Sequence, residues 1–253
     1  MTEPPALLAI AHGSRDPRHA AALAGLLDAV RRGRPGLRTA LGFLDLSRPR
    51  VPDALASLLS EHEDAGGVTR VVALPLFLGH GYHVGHDVPA VTARAGDALR
   101  RPVRLIVAPP LGPDPLLDRA LAYRLREQGV HADDPELGLV VASATAAPRA
   151  TLDAIAALRA RGTARIAVAS RFLAPGLLYD RVRADVLAAA VPIAAPLATP
   201  DDEPPADLVR LLLERYAQAV SRKPAPAPAR PRRRSHPADT AGRSAPGPRS
   251  AAA

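Results

Sequence analysis

The sequence predicts an α/β protein of two Rossmann-like lobes, each a parallel sheet flanked by helices, the second lobe shortened. Three observations predict it. Short, near-continuous apolar runs alternate with longer amphipathic ones, the pattern of parallel strands covered by helices on both faces. The chain has 253 residues, 47% of them apolar, enough to bury a substantial core. It also carries a degenerate internal repeat. Residues 50–78 align with residues 149–173, and in both an Ala/Leu helix leads into a strand ending in aromatic–Leu.

The elements follow in order. Leu7–Ala11 reads as a buried strand, and a helix from Pro17 to Arg32 is stopped by Gly33 and Pro35. Arg38–Asp45 is the second strand and Pro52–Glu63 the next helix. Arg70–Leu78 is the third strand; a Gly- and His-rich loop then leads to a helix over Val88–Leu99. Val103–Ala108 is the fourth strand. The helix after it has Asp114 as N-cap, Pro115 at the first helical position and Gly129 just past its end.

Past the Asp133–Asp134–Pro135 break, strands are expected at Gly138–Ser143 and Arg165–Ser170, around a helix from Arg149 to Arg161. A helix over Leu177–Ala189, a weak strand near Val191–Ala195 and a helix over Ala206–Ala219 complete the series. About 60 residues separate the first strand from the third in the first half, against about 25 between their counterparts in the second. The second half therefore lacks one helix–strand unit. The expected organisation is a first lobe over 1–132, a degenerate second lobe over 137–221, and a basic Pro/Ala/Arg tail over 222–253. That tail has no apolar period and is expected to be disordered.

Composition excludes several functions. With no cysteine, disulfides, thiolate metal sites and cysteine nucleophiles are ruled out. The net charge of +8 points at first to nucleic acid, yet the tail holds eight basic residues and one acidic, +7 of the total. The rest of the chain is nearly neutral, so no nucleic-acid partner is expected for the folded body. The longest apolar stretch, Val186–Thr199, is interrupted by Pro192 and Pro196, while a membrane span needs about 20 apolar residues. A cytoplasmic protein without membrane contact is expected, as a monomer or weak dimer.

In a parallel sheet ligands bind at the carboxyl ends of the strands, where three polar clusters fall. AHGSRDP (11–17) follows the first strand. Gly13 and Ser14 open a helix N-terminus that suits an anion, Arg15 adds a guanidinium, and His12 offers an imidazole to a metal or a proton. The plainer reading is a cap by Ser14 or Asp16 and a merely buried His12. PLFLGHGYHVGHDVP (75–89) brings His80, His83 and His86 together among three glycines, a loop in which backbone can approach a flat ligand closely. The plainer reading there is a solvated loop. GFLDLSRP (42–49) ends the second strand with Asp45, a proton acceptor, a metal partner or simply a turn former. The second half answers AHGSRDP with ASATAAP and has no histidine between His131 and His236.

These three motifs, together with APPLGPDPLL (108–117), resemble the class II chelatases, and most closely the CbiX/SirB-type sirohydrochlorin chelatases. The resemblance is strongest over residues 6–120 and continues weakly to about 220, as in the long, two-lobed form of the family. It implies a lyase that inserts Co²⁺ or Fe²⁺ into sirohydrochlorin or a related precorrin for cobalamin or sirohaem biosynthesis. It implies no cofactor beyond that metal. It also implies two metal-handling histidines, which fall on His12 and His83, and an acidic residue, usually Glu, which is Asp45 here. Gly13, Ser14, Arg15 and Gly81 would bind the substrate. Imidazole suits either metal without holding it too tightly to release. A metal- or tetrapyrrole-binding protein without turnover is the second reading. A phosphate-handling enzyme with His12 as nucleophile ranks below it, because no Arg precedes His12.

Overall fold

A computed structural model describes residues 4–60, 68–79, 86–97, 99, 102–147 and 149–222. The first six-residue strand, β1 (Ala6–Ala11), is buried along its whole length, as its uninterrupted apolar sequence requires. Helix α1 (Pro17–Gly33) starts at Asp16, whose carboxylate accepts from the Arg18 N–H at 3.0 Å. Strand β2 (Thr39–Phe43), helix α2 (Val51–Ser60), strand β3 (Arg70–Pro75), helix α3 (Val88–Asp97) and strand β4 (Arg104–Val107) follow. Helix α4 (Pro115–Arg126) is capped by the Asp114 carboxylate, which accepts from Leu116 N–H at 2.9 Å.

The first four strands form one parallel sheet in the order β2-β1-β3-β4. The chain runs outward in both directions from β1, so the switch point of the sheet lies between β1 and β3. In an open α/β sheet a ligand crevice forms outside the carboxyl ends of the strands at that point.

The second series is shorter: β5 (Leu137–Ser143), α5 (Ala150–Ala160), β6 (Arg165–Arg171) and α6 (Leu177–Ala188). Its sheet has two parallel strands, β5 and β6. The strand expected near Val191–Ala195 is reduced to a single bridge between Val168 and Ile193. Pro192 has no N–H to extend the ladder, although its carbonyl still accepts from Val168 N–H at 2.9 Å. Between β5 and β6 the chain makes one helix, whereas between β1 and β3 it makes two helices and a strand. The missing unit leaves β5 at an open edge, and Leu139 and Val141 on it are exposed.

The last helix, α7 (Ala206–Ser221), follows the second series in the chain but packs on the first sheet. Leu208, Leu211, Leu212, Tyr216 and Ala219 share one core with Leu7 and Ala9 of β1 and with Leu23, Leu26 and Leu27 of α1. Burying such side chains contributes about 1.5–3 kcal/mol each. Two buried cations brace this face. Arg215 donates to Pro110 O (2.8 Å), Leu111 O (3.0 Å) and the Asp114 carboxylate (2.9 Å), and Arg124 donates to Leu197 O (3.0 Å) and the Glu127 carboxylate (2.9 Å). Residues 4–222 thus pack as one compact unit around two sheets. No helix among the described residues is long and apolar enough to cross a membrane. The tail from Lys223 onward lies outside the described residues.

Candidate active site

The turn after β1 is built by two serines from different segments. Ser14 N–H donates to Ser47 Oγ at 2.9 Å, and that hydroxyl donates back to Ser14 O at 2.8 Å. Asp45 N–H donates to His12 O at 2.8 Å, so the motifs 11–17 and 42–49 form one ledge at the carboxyl end of the sheet. Gly13 is required at its centre. Its φ is +97°, and a Cβ there would meet Asp45 O at 1.8 Å.

His12 is exposed on this ledge, which overturns the plainer reading that it is merely buried. The cap half of that reading holds, with Asp16 as the capping residue. Ser14 N–H is engaged by Ser47, and Ser14 Oγ accepts from Asp16 N–H at 3.1 Å, so Ser14 builds the turn. Arg15 is exposed beside it. The Asp45 carboxylate accepts from Leu46 N–H (2.8 Å) and from Arg50 (2.9 Å). These two bonds, the backbone one foremost, hold it below the usual carboxylate range. It is therefore a persistent negative charge and a weak base.

His80, Gly81 and His83 lie outside the described residues. On either side of them, Phe77, Leu78 and Gly79 follow β3, and His86, which is exposed, and half-buried Asp87 precede α3.

A cleft of about 400 Å³ opens where the two sheets face each other. His12 and Leu76–Gly79 line it from the first sheet; Ser143–Thr145 and Arg171–Ala174 line it from the second. Most of the wall is apolar, as in small-molecule sites generally. Hollows of about 420 Å³ beside α5 and about 320 Å³ at Pro192 contain no histidine among their lining residues. Three contacts cross the cleft edge. Arg171 donates to Leu78 O at 2.5 Å, Arg18 pairs with Asp180, and the ring of His19 meets Pro175 O at 3.1 Å. The eroded second lobe is therefore one wall of the cleft.

His19 is the residue that sequence reasoning missed. It lines the cleft together with His12, and burial pushes its imidazole below the ordinary histidine range, against the opposing pull of the Pro175 carbonyl and the Asp16 carboxylate. A signal was present. His19 falls in the helical stripe that continues through Ala22, Leu23, Leu26 and Leu27, all buried. Among the described residues no group of three or more metal-ligating side chains converges.

Known proteins resemble this chain in sequence and in fold. A model of the CbiX family matches residues 6–128. A sirohydrochlorin cobaltochelatase of Methanothermobacter thermautotrophicus is 35% identical over 85 residues, 34% of this chain. The match spans 55% of that relative, little more than half its length. A sirohydrochlorin cobaltochelatase of Methanosarcina acetivorans is 29% identical over 133 residues, which are 50% of this chain and 98% of that protein. The fold matches the sirohydrochlorin chelatase SirB from Bacillus subtilis subspecies spizizenii, crystallised in complex with cobalt. The TM-score is 0.64 and the identity 18%, over 86% of this chain and 96% of that one. This chain belongs to the CbiX-type sirohydrochlorin chelatases.

Proposed function

We propose that this chain inserts a divalent metal, Co²⁺ or Fe²⁺, into sirohydrochlorin or a related precorrin without nucleotide. The observation that carries the reading is the exposed His12 at the switch point of the first sheet, on the wall of an apolar cleft closed by the second lobe. Insertion replaces two pyrrole N–H protons by the metal: M²⁺ and the free base give the metal complex and two H⁺. The site therefore needs ligands that hold the metal loosely and a base near the ring.

Neutral imidazoles meet both needs. His12 and His83 bind the incoming metal and take up the pyrrole protons as it passes into the ring. Asp45, held ionised, assists by keeping negative charge beside the metal's entry point. The substrate's acetate and propionate groups call for cations at the rim. Arg15, exposed on the turn that carries His12, supplies one and Arg171 on the second wall another, since only one Arg171 nitrogen is engaged among the described residues, by Leu78 O. Gly81 lets backbone approach the flat macrocycle, while buried Gly13 serves the site by holding the ledge against Asp45.

The test is an anaerobic insertion assay with purified sirohydrochlorin and Co²⁺ or Fe²⁺. His12→Ala and His83→Ala should each lower the rate by about 10²-fold or more, in the range of a lost acid–base group. Full rates in both variants would overturn the site. Tight metal or tetrapyrrole binding without product would support the non-catalytic reading.

A further inference from the structure

The cleft holds a second imidazole whose surroundings resemble those of a metal ligand. His19 Nδ1 lies 3.1 Å from Pro175 O. A carbonyl oxygen only accepts, so Nδ1 must carry the proton, and in the neutral ring the lone pair is then on Nε2. No described residue hydrogen-bonds that Nε2. Metal-binding histidines have the same arrangement. One ring nitrogen donates to a backbone carbonyl or carboxylate, which fixes the tautomer and aims the other nitrogen at the metal. His19 is anchored at both ends. Helix α1 carries its backbone, one turn past the Asp16 cap, and the turn before α6 supplies the carbonyl.

We propose that His19 Nε2 is a metal ligand in the cleft, sharing the divalent ion with His12 before the ion enters the macrocycle. The inference rests on the cleft being the chelatase site. It gives the second lobe a part in metal handling, because Pro175 sets the tautomer of His19. Two imidazoles, from the turn after β1 and the first turn of α1, also suit an ion that must be surrendered, since few protein ligands leave positions open for the pyrrole nitrogens.

The probe is Co²⁺ alone, titrated anaerobically into the full chain. His19→Asn is the informative variant. The Asn amide nitrogen sits close to where Nδ1 was and can still donate to Pro175 O, but no Nε2 remains. A ligand role predicts at least a tenfold weaker Co²⁺ affinity for His19→Asn, with the melting temperature unchanged. A purely structural role predicts wild-type affinity. A second readout needs no variant: in the wild-type protein, bound Co²⁺ should shift the His19 ring protons strongly in paramagnetic NMR. Unshifted His19 resonances, or wild-type affinity in His19→Asn, would overturn the assignment. The two levels of failure are separable. If His12→Ala abolishes insertion while His19→Asn leaves binding and rate intact, only the His19 role falls. If His12→Ala inserts metal at the full rate, the reading of the cleft falls with it.

Discussion

The turns that end β1 and β5 occupy the same place in two related sheets and have diverged in opposite directions. After β1 the chain reads AHGSRDP; after β5 it reads ASATAAP. The first turn presents His12 and Arg15 at a helix capped by Asp16. The second presents only hydroxyls, Ser143 and Thr145, which lie 3.2 Å apart and line the cleft from the far side. On the proposed reading, one lobe keeps the groups that would bind metal and move protons, and the other keeps shape. Reactive side chains are needed on one side of a flat ligand only, whereas a cleft needs two walls.

The largest expected effect breaks this comparison if it fails. His12→Ala should cost about 10²-fold or more in insertion rate. Ser143→Ala and Thr145→Ala, at the corresponding turn, should change it by less than about threefold, the scale of small changes at neutral contacts. Comparable losses at both turns, measured in the same anaerobic assay, would show that the lobes share the chemistry.

Glycines sharpen the contrast at the level of backbone. Gly13 has a positive φ and no room for a Cβ, so Gly13→Ala should destabilise by more than the 1–3 kcal/mol of left-handed strain and disturb the His12 ledge. Gly176, across the cleft, has extended backbone, and its Cβ would sit an ordinary 3.6 Å from Ser14 Oγ. Gly176→Ala should leave stability within about 0.5 kcal/mol of wild type. Thermal melts of the pair, with His12 present in both, decide this.

The rims of the cleft give the next effect. Arg171 lines the cleft from the second lobe and Arg15 is exposed on the turn that carries His12, and losing one charge-assisted hydrogen bond to a carboxylate costs about 1.5–3 kcal/mol. Arg15→Ala and Arg171→Ala should each raise KM about tenfold or more, with a smaller change in kcat. A rise in only one variant would assign carboxylate recognition to that lobe alone.

Much of this architecture is legible in the sequence because it is local. The unbroken run Leu7–Ala11 reads as a doubly covered strand, Asp114–Pro115 announces the start of α4, and the short spacing between β5 and β6 announces the missing unit. What could not be read is what packs against what. The apolar stripe of α7 says that the helix is buried, but not that the first sheet buries it. Arg124 and Arg215 look like solvated charges on amphipathic helices, yet their carbonyl partners come from residues 73 and 105 positions away. Pro192 and Pro196 show that a strand at 191–195 would be poor, without showing that one bridge survives. The site divides the same way. His12 and Asp45 are marked by strand-end motifs, while His19 acquires its interest only from Pro175, 156 residues further along the chain.

Asp45 gives the smallest effect and one whose sign is fixed by its surroundings. The Leu46 N–H and the Arg50 guanidinium favour the ionised carboxylate, so its pKa in the folded protein lies below the unfolded value. What these contacts contribute is fully present above the unfolded pKa and is lost only as pH falls through the lowered one. Across the range in which imidazoles titrate, Asp45 therefore stays charged. Asp45→Asn should reduce the insertion rate several-fold by removing that charge, and the pH–rate profile should keep its acid limb. Loss of that limb in Asp45→Asn would instead make Asp45 the titrating base, and the chemistry of the ledge would then belong as much to β2 as to β1.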